Sequence, residues 1–371
     1  MKKIKYYPII LLEVAMILIF IGSYLYKTHR SVETYFGNQE DYIKWVDFNV
    51  SYEALQRAYE WDKKTYQQEV HLDWIEMLSF LAVKYGGNFS KYRGKDLDEL
   101  AQKLIDKEGT IESLLPSPKY YSYYLEAYSA VLGGLVGEYE IELDNEWHRC
   151  YGLKAYSPIA MGYDYSDYDD FGSSRSYGFK REHLGHDLMG QTGTPIIAIE
   201  SGTVEAIGWN QYGGWRIGIR SFDKKRYYYY AHMRQNFPYN KSLKEGSVVQ
   251  SGDVIGYIGH TGYSTKENVN NIDTSHLHWG LQLIFDESQK ESNNEIWVDC
   301  YQITRFLSKN RSETWKDITT KEYHRKHAFK DLDNSEFLKN VEDNSKSISG
   351  NSYEENIKSI SLNNGISSNG L

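Results

Sequence analysis

The chain reads as a multidomain α+β protein, with an apolar N-terminal helix, then a small α-helical domain, then a mainly antiparallel β-sheet domain. Three observations predict this order. Tyr6 to Tyr26 is an almost unbroken apolar run, residues 52 to 132 carry apolar side chains at helical intervals, and from Thr194 onward short β-branched and aromatic runs are punctuated by glycine. At 371 residues the chain has room for an anchor and two domains.

The N-terminal run is long enough to cross a bilayer, which takes ~20 residues. Ile9 to Leu12 and Val14 to Ile21 are apolar, Lys2, Lys3, Lys5, Lys27 and Arg30 flank the run, and Tyr6, Tyr7, Tyr24 and Tyr26 suit the two interfaces. Glu13 is the one acidic residue inside it. No small-residue cleavage site follows, so residues 1–30 are read as a short cytoplasmic end and an uncleaved transmembrane signal anchor, with the rest of the chain outside.

Residues 40–145 form the helical domain. Tyr52 to Glu69, Leu72 to Tyr85, Leu97 to Lys107 and Tyr120 to Leu132 have helical periodicity, and Gly86-Gly87, Gly109 and Gly133-Gly134 supply the stops. Asp96 with Glu99 reads as a D-x-x-E helix start. Glu76 is an acid on such a helix, and an exposed surface glutamate is its ordinary reading. Residues 150–310 hold the β domain, with strands expected at Thr194 to Glu200, Thr203 to Gly208, Trp215 to Arg220, Arg226 to His232, Val254 to Ile258 and His276 to Phe285. The Ser-, Asn- and Gly-rich stretch 341–371 has no apolar period and is expected to be a disordered tail.

Two motifs concentrate the chemistry: His183-Leu-Gly185-His-Asp187 and His276-Leu-His278. On an extended strand i, i+2 and i+4 face the same way, so each motif converges its own side chains. Zinc takes imidazole nitrogen or carboxylate oxygen at about 2.0–2.2 Å, and a catalytic site uses three such ligands. His183, Asp187 and His278 fill that set with one zinc ion; His276 stands beside it as a base and His232 as its partner. His186 and His260 read as packing or surface histidines.

At these residues the chain resembles the lysostaphin-type, LytM-like zinc endopeptidases, which cleave peptide bridges of bacterial peptidoglycan. The likeness runs from about Ser157 to Phe285. It rests on Phe171-Gly172-Ser-Ser-Arg175, His183-x-Gly185-x-Asp187, Gly193-Thr194-Pro195, Gly202-Thr-Val204, Trp209-x-x-Tyr212-Gly213-Gly214, Tyr230-Ala-His232, Gly252-Asp253, Gly259-x-Thr-Gly262-x-Ser264-Thr265 and His276-x-His278, in that order. The resemblance implies an antiparallel sheet with a cleft along one face. It also implies zinc ligands at His183, Asp187 and His278, catalytic histidines at His232 and His276, and an oxyanion-donating tyrosine at Tyr177. Peptidoglycan is then the implied substrate and the outside of the cell membrane the implied location.

The chain departs from the family pattern in three places. Lys266 to Ser275 intervene before His-x-His, Asp286 to Glu295 follow it, and Trp279 replaces a usual phenylalanine. The first insertion is expected to be a loop beside the cleft. The Tyr227 to Tyr230 run is expected either to line that cleft or to pack across strands. A net charge of −9 supplies no basic patch, which disfavours nucleic acid as a partner. Cys150 and Cys300 are too few for a disulfide framework, although in an oxidising compartment they could pair; neither is placed as a zinc ligand. The alternative to an enzyme is a non-cleaving scaffold or regulator of wall machinery with the same fold.

Overall fold

The computed structural model describes residues 42–176, 180–290 and 294–334. The expected anchor, the tail 341–371 and Tyr177 lie outside the described residues, and among those described no helix is long and apolar enough to cross a membrane.

The helical segment comprises α1 (Tyr52–Thr65), α2 (Trp74–Tyr85), α3 (Gly94–Ile105), the single turn α4 (Ile111–Leu114) and α5 (Tyr121–Leu132). Their ends follow side-chain chemistry. Ser51 accepts from Ala54 N–H, Asp73 accepts from Ile75 and Glu76 N–H, and Gly86, at φ 63°, closes α2 in a left-handed cap. The start of α3 departs from expectation: the helix begins at Gly94, two residues before Asp96. Asp96 does not cap it but turns inward, where its carboxylate accepts from the Tyr85 hydroxyl at 2.5 Å and pairs with Lys84 and Arg93.

β1 (Val136–Leu143) and β2 (Glu146–Leu153) form a hairpin that straddles the expected domain boundary, closed by Asp144 and Asn145, both at positive φ. The short β3 (Ser174–Ser176) and β4 (Lys180–Glu182) pair, followed by β5 (His186–Met189) and β6 (Pro195–Ile197). The main sheet holds β7 (Gly202–Asn210), β8 (Gly214–Ser221), β9 (Arg226–Ala231), β10 (Val248–Val249), β12 (His276–Leu283) and β13 (Ile296–Val298) in the order β10-β7-β8-β9-β12-β13. β5 adds to β12, and β11 (Val254–Tyr257) pairs with β6. All pairings in these sheets are antiparallel. After α6 (Tyr301–Leu307) come the hairpin β14 (Thr314–Lys316) and β15 (Tyr323–Arg325), then β16 (Phe329–Asp331), which returns to β1.

The two-residue period of the strands sorts the sheet into a packing face and a working face. Ile217, Tyr230 and Trp279 lie in one cross-strand row and Ile219, Tyr228 and Leu281 in the next, and all six are buried. This face meets the helices, and one apolar core runs through both: Phe306 of α6 packs its ring against Tyr59 of α1 and Trp74 of α2, each at 5.6 Å. A buried ion pair adds a polar tie. Arg226, 2% exposed, donates from Nε and Nη2 to the two oxygens of Glu200 at 2.7 and 3.1 Å, while its Nη1 donates to the Ala130 carbonyl at the end of α5. The Tyr228 hydroxyl completes the Glu200 shell at 2.7 Å. The opposite face carries His276, His278, Tyr227, Tyr229 and Gln282, so the tyrosine run serves both expected uses, alternate rings in the core and in the cleft.

Candidate metal centre

His278 on β12 stands directly across from Asp187 on β5 in the strand register. His183 reaches them by another route than an extended strand, because β4 ends at Glu182 and the chain bends through His183 to Gly185 before β5 begins. The bend needs glycine at 185 on steric grounds: a Cβ there would lie 2.5 Å from Cε1 of His278 and 2.7 Å from the Trp279 carbonyl oxygen. The two motifs are therefore packed against each other through a contact that admits no side chain.

Three ligand atoms converge. Nε2 of His183 lies 3.1 Å from Oδ1 of Asp187 and 3.1 Å from Nδ1 of His278, and the last two atoms are 2.8 Å apart. Ligands about 2.1 Å from a tetrahedral ion stand ~3.4 Å apart, so this trio of two imidazoles and one carboxylate could hold zinc after a small expansion. Two of the three ligands are biased toward the form that binds a cation, and at His183 an ion must displace a proton that the nearby carboxylates favour. Burial opposes the Asp187 carboxylate, but His183 and His278 hold it far below the usual carboxylate range. Burial lowers the pKa of His278; at His183 burial pulls down as well, and the carboxylates of Asp187 and Asp170 outweigh it.

Asp170 is a site residue that sequence reasoning missed. Its Oδ1 lies 3.1 Å from Nδ1 of His183, which ties that ring by its outer nitrogen and leaves Nε2 free for an ion. The backbone holds this arrangement, since Gly172 N–H donates to the His183 carbonyl and His183 N–H to that of Ser173. Arg175 pairs with Asp170 and lies 3.5 Å from Oδ2 of Asp187, the oxygen outside the trio.

His276 and His232 flank the cluster with their rings 4.8 Å apart. Nδ1 of His276 lies 2.8 Å from the Thr274 carbonyl and Nδ1 of His232 lies 3.0 Å from the Thr261 carbonyl. A carbonyl accepts only, so each ring carries a proton on Nδ1, and in its neutral form the ring keeps a lone pair on Nε2. Nε2 of His276 stands 3.8 Å from Oδ1 of Asp187, facing the cluster. His232 sits just past β9 with φ 61°, a left-handed conformation costly for a side chain other than glycine. Burial, then the neighbouring His276 and His278, hold its pKa well below the usual imidazole value.

The cleft around these groups encloses about 460 Å³ and extends from the cluster along Tyr229, Arg216 and Gln282 to Lys290 and Trp297. The stretch after β12 thus supplies one wall. Residues 266–275 form the expected loop, pinned where the Asn268 side chain accepts from Trp215 Nε1 at 2.9 Å. Trp279 points into the core, donating to Thr304, so its substitution leaves the cleft lining alone. His186 pairs with Asp167 and His260 with the Ile272 carbonyl, both away from the trio. Cys150 and Cys300 are free thiols.

Residues 181–293 match the model of Peptidase family M23. Over 148 residues the chain is 34% identical to the L-Ala–D-Glu endopeptidase of Bacillus subtilis, covering 40% of this chain and 44% of that protein. Over 88 residues it is 39% identical to lysostaphin of Staphylococcus staphylolyticus, covering 24% of this chain and 17% of the relative, so both matches span less than half of the relative's length. A solved structure of a LytM protein from Ruminococcus gnavus aligns over 74% of this chain and 92% of its own, with 23% identity and a TM-score of 0.48. Over residues 181–293 the chain therefore carries a peptidase family M23 domain, similar in sequence to the L-Ala–D-Glu endopeptidase and to lysostaphin.

Proposed function

We propose that the protein is a zinc metalloendopeptidase that hydrolyses peptide crosslinks or stem peptides of bacterial peptidoglycan. The observation that carries this reading is the convergence of His183 Nε2, Asp187 Oδ1 and His278 Nδ1 within 3.1 Å, beside two histidines whose Nδ1 protons are held by backbone carbonyls. Zinc bound by that trio supplies Lewis acidity toward the scissile carbonyl and lowers the pKa of water from 15.7 to about 7.

The chain's own groups do the rest. His276 accepts the nucleophile's proton at Nε2, its ring fixed by the Thr274 carbonyl, and returns it to the leaving amine. His232, kept neutral by burial, steers His276 or hydrogen-bonds to the developing tetrahedral centre. Asp170 orients His183, and Arg175 holds Oδ2 of Asp187, the oxygen outside the trio. Tyr177 is the proposed oxyanion donor. Tyr6 to Tyr26 is the proposed single-pass anchor, on its length and apolar content, with the peptidase domain outside the membrane.

The test is release of new amino groups from purified peptidoglycan by the zinc-loaded protein and by His276→Ala. The reading expects cleavage by wild type and loss of at least about 100-fold in the variant. Full zinc loading without release of amino groups from any wall type would move the assignment to a non-cleaving scaffold. Membrane fractionation with and without residues 1–30 tests the anchor, which must release the protein when removed.

A further inference from the structure

The cleft holds hydrogen-bond donors that the proposed hydrolysis does not use. Nε of Arg181 on β4, Nη1 of Arg216 on β8 and Nε2 of Gln282 on β12 are buried without a hydrogen-bond partner, and all three residues line this one cleft. A buried donor left unpaired costs about 1–3 kcal/mol, more on a charged group, so three along one wall call for a ligand that supplies acceptors. Among the described residues no buried acceptor on that wall is left unpaired, and Glu182, the carboxylate next to Arg181 in the lining, is exposed.

The two guanidiniums are also unusual in their charge balance. Arg175 pairs with Asp170 and Lys290 with Glu205, whereas among the described residues neither Arg181 nor Arg216 has an ion-pair partner. Arg181 is oriented by the Tyr263 hydroxyl and lies 4.8 Å from that ring's centroid, two residues before His183. Both arginines act electrostatically on Tyr229, whose ring stands 6.0 Å from that of His278. The unpaired positive charge therefore sits next to the metal centre. Gln282 follows on the same face of β12, four positions past His278 and so ~13 Å along the strand, about four residues of an extended peptide. A bridge made only of glycine offers amide carbonyls, which can satisfy Gln282 but leave two half-buried guanidiniums without a counter-charge. A carboxylate satisfies both, and guanidinium is the group best shaped to receive one.

We propose that the cleft selects peptides in which a residue with a free carboxylate flanks the scissile amide, Arg181 and Arg216 receiving that carboxylate and Gln282 a backbone carbonyl farther along. This rests on the peptidase reading, and the experiment separates the two. The probes are the stem peptide L-Ala-γ-D-Glu-L-Lys-D-Ala and the same peptide with its glutamyl α-carboxylate amidated, each fluorescently labelled. Binding is measured on full-length zinc-loaded His276→Ala, and turnover on wild type. One charge-assisted hydrogen bond corresponds to a discrimination of about 10- to 100-fold in favour of the acid. Arg216→Gln and Arg181→Gln should each erase most of that factor by weakening binding of the acid far more than of the amide, while Arg216→Lys should keep part of it. Equal affinity for the two peptides, or discrimination that survives both glutamine variants, overturns the proposal. Turnover of both peptides at the same rate keeps the peptidase and removes the carboxylate site; discriminated binding without turnover does the reverse.

Discussion

Gly185→Ala adds one methyl group where the two halves of the metal centre meet. The new carbon would sit 2.5 Å from Cε1 of His278 and 2.7 Å from the Trp279 carbonyl oxygen, against an ordinary carbon contact of about 3.5–4.0 Å. One of the two must move by about 1 Å. The carbonyl belongs to β12, whose ladder to β9 and β5 resists displacement, so the His278 ring moves instead. Zinc ligation tolerates about 0.2 Å, so a shift of this size takes His278 out of the trio. Losing a supporting contact already costs 10- to 100-fold in metal affinity, and losing a ligand should cost at least about 100-fold. Turnover should fall by a similar factor, and overpacking should lower stability by about 1–3 kcal/mol. The assay is zinc affinity by competition with a chromogenic chelator, alongside thermal melting of the metal-free protein. A variant that melts as a folded protein and binds zinc within about threefold of wild type would refute the steric argument.

Four further outcomes follow from the same geometry. Asp170→Asn should weaken zinc binding by about 10- to 100-fold while leaving the fold intact, read by the same competition. Glu200→Ala leaves the buried Arg226 with only the half-exposed Asp223 as counter-charge and should cost about 3 kcal/mol in urea unfolding, whereas replacing Arg226 and Glu200 together with apolar residues should cost much less. His232→Gly should be more stable than His232→Ala by about 1 kcal/mol, because glycine accepts the φ of 61° freely; both should lose peptidase activity. Asp96 is held well below the usual carboxylate range by the Tyr85 hydroxyl, with Lys84 and Arg93 outweighing the opposing pull of burial. Its stabilisation is therefore complete above the unfolded value of about 3.9 and is lost as the pH falls through the lower folded value, so Asp96→Asn should flatten the acid limb of stability against pH.

The metal trio was legible because zinc restricts its ligands to a few residue types and the sheet compresses them into two short motifs. His276 and His278 follow directly from strand parity. His183 converges for a different reason from the one expected, through a bend whose tightness depends on Gly185, and no periodicity encodes that. Asp170 lies in an Asp- and Tyr-rich stretch without strand or helix period, and only the backbone pairing of Gly172 and Ser173 with His183 brings it behind the ring. The helices were readable from their apolar stripes and glycine stops, yet the start of α3 was misplaced because Asp96 pairs with tertiary partners instead of capping. The β1–β2 hairpin carried a signal, Asp144-Asn145 between two runs, that the domain boundary obscured. Arg216 and Gln282 stand in the cleft through strand register alone, which short motifs do not display.

A zinc titration of the metal-free protein, followed by release of new amino groups from peptidoglycan, tests the central claim most directly. The account predicts that turnover rises linearly with zinc, reaches its plateau at one equivalent per chain, and is absent throughout the titration of Asp187→Ala. Turnover that is independent of added zinc, or a wild-type protein that fills with one equivalent and cleaves nothing, would contradict it.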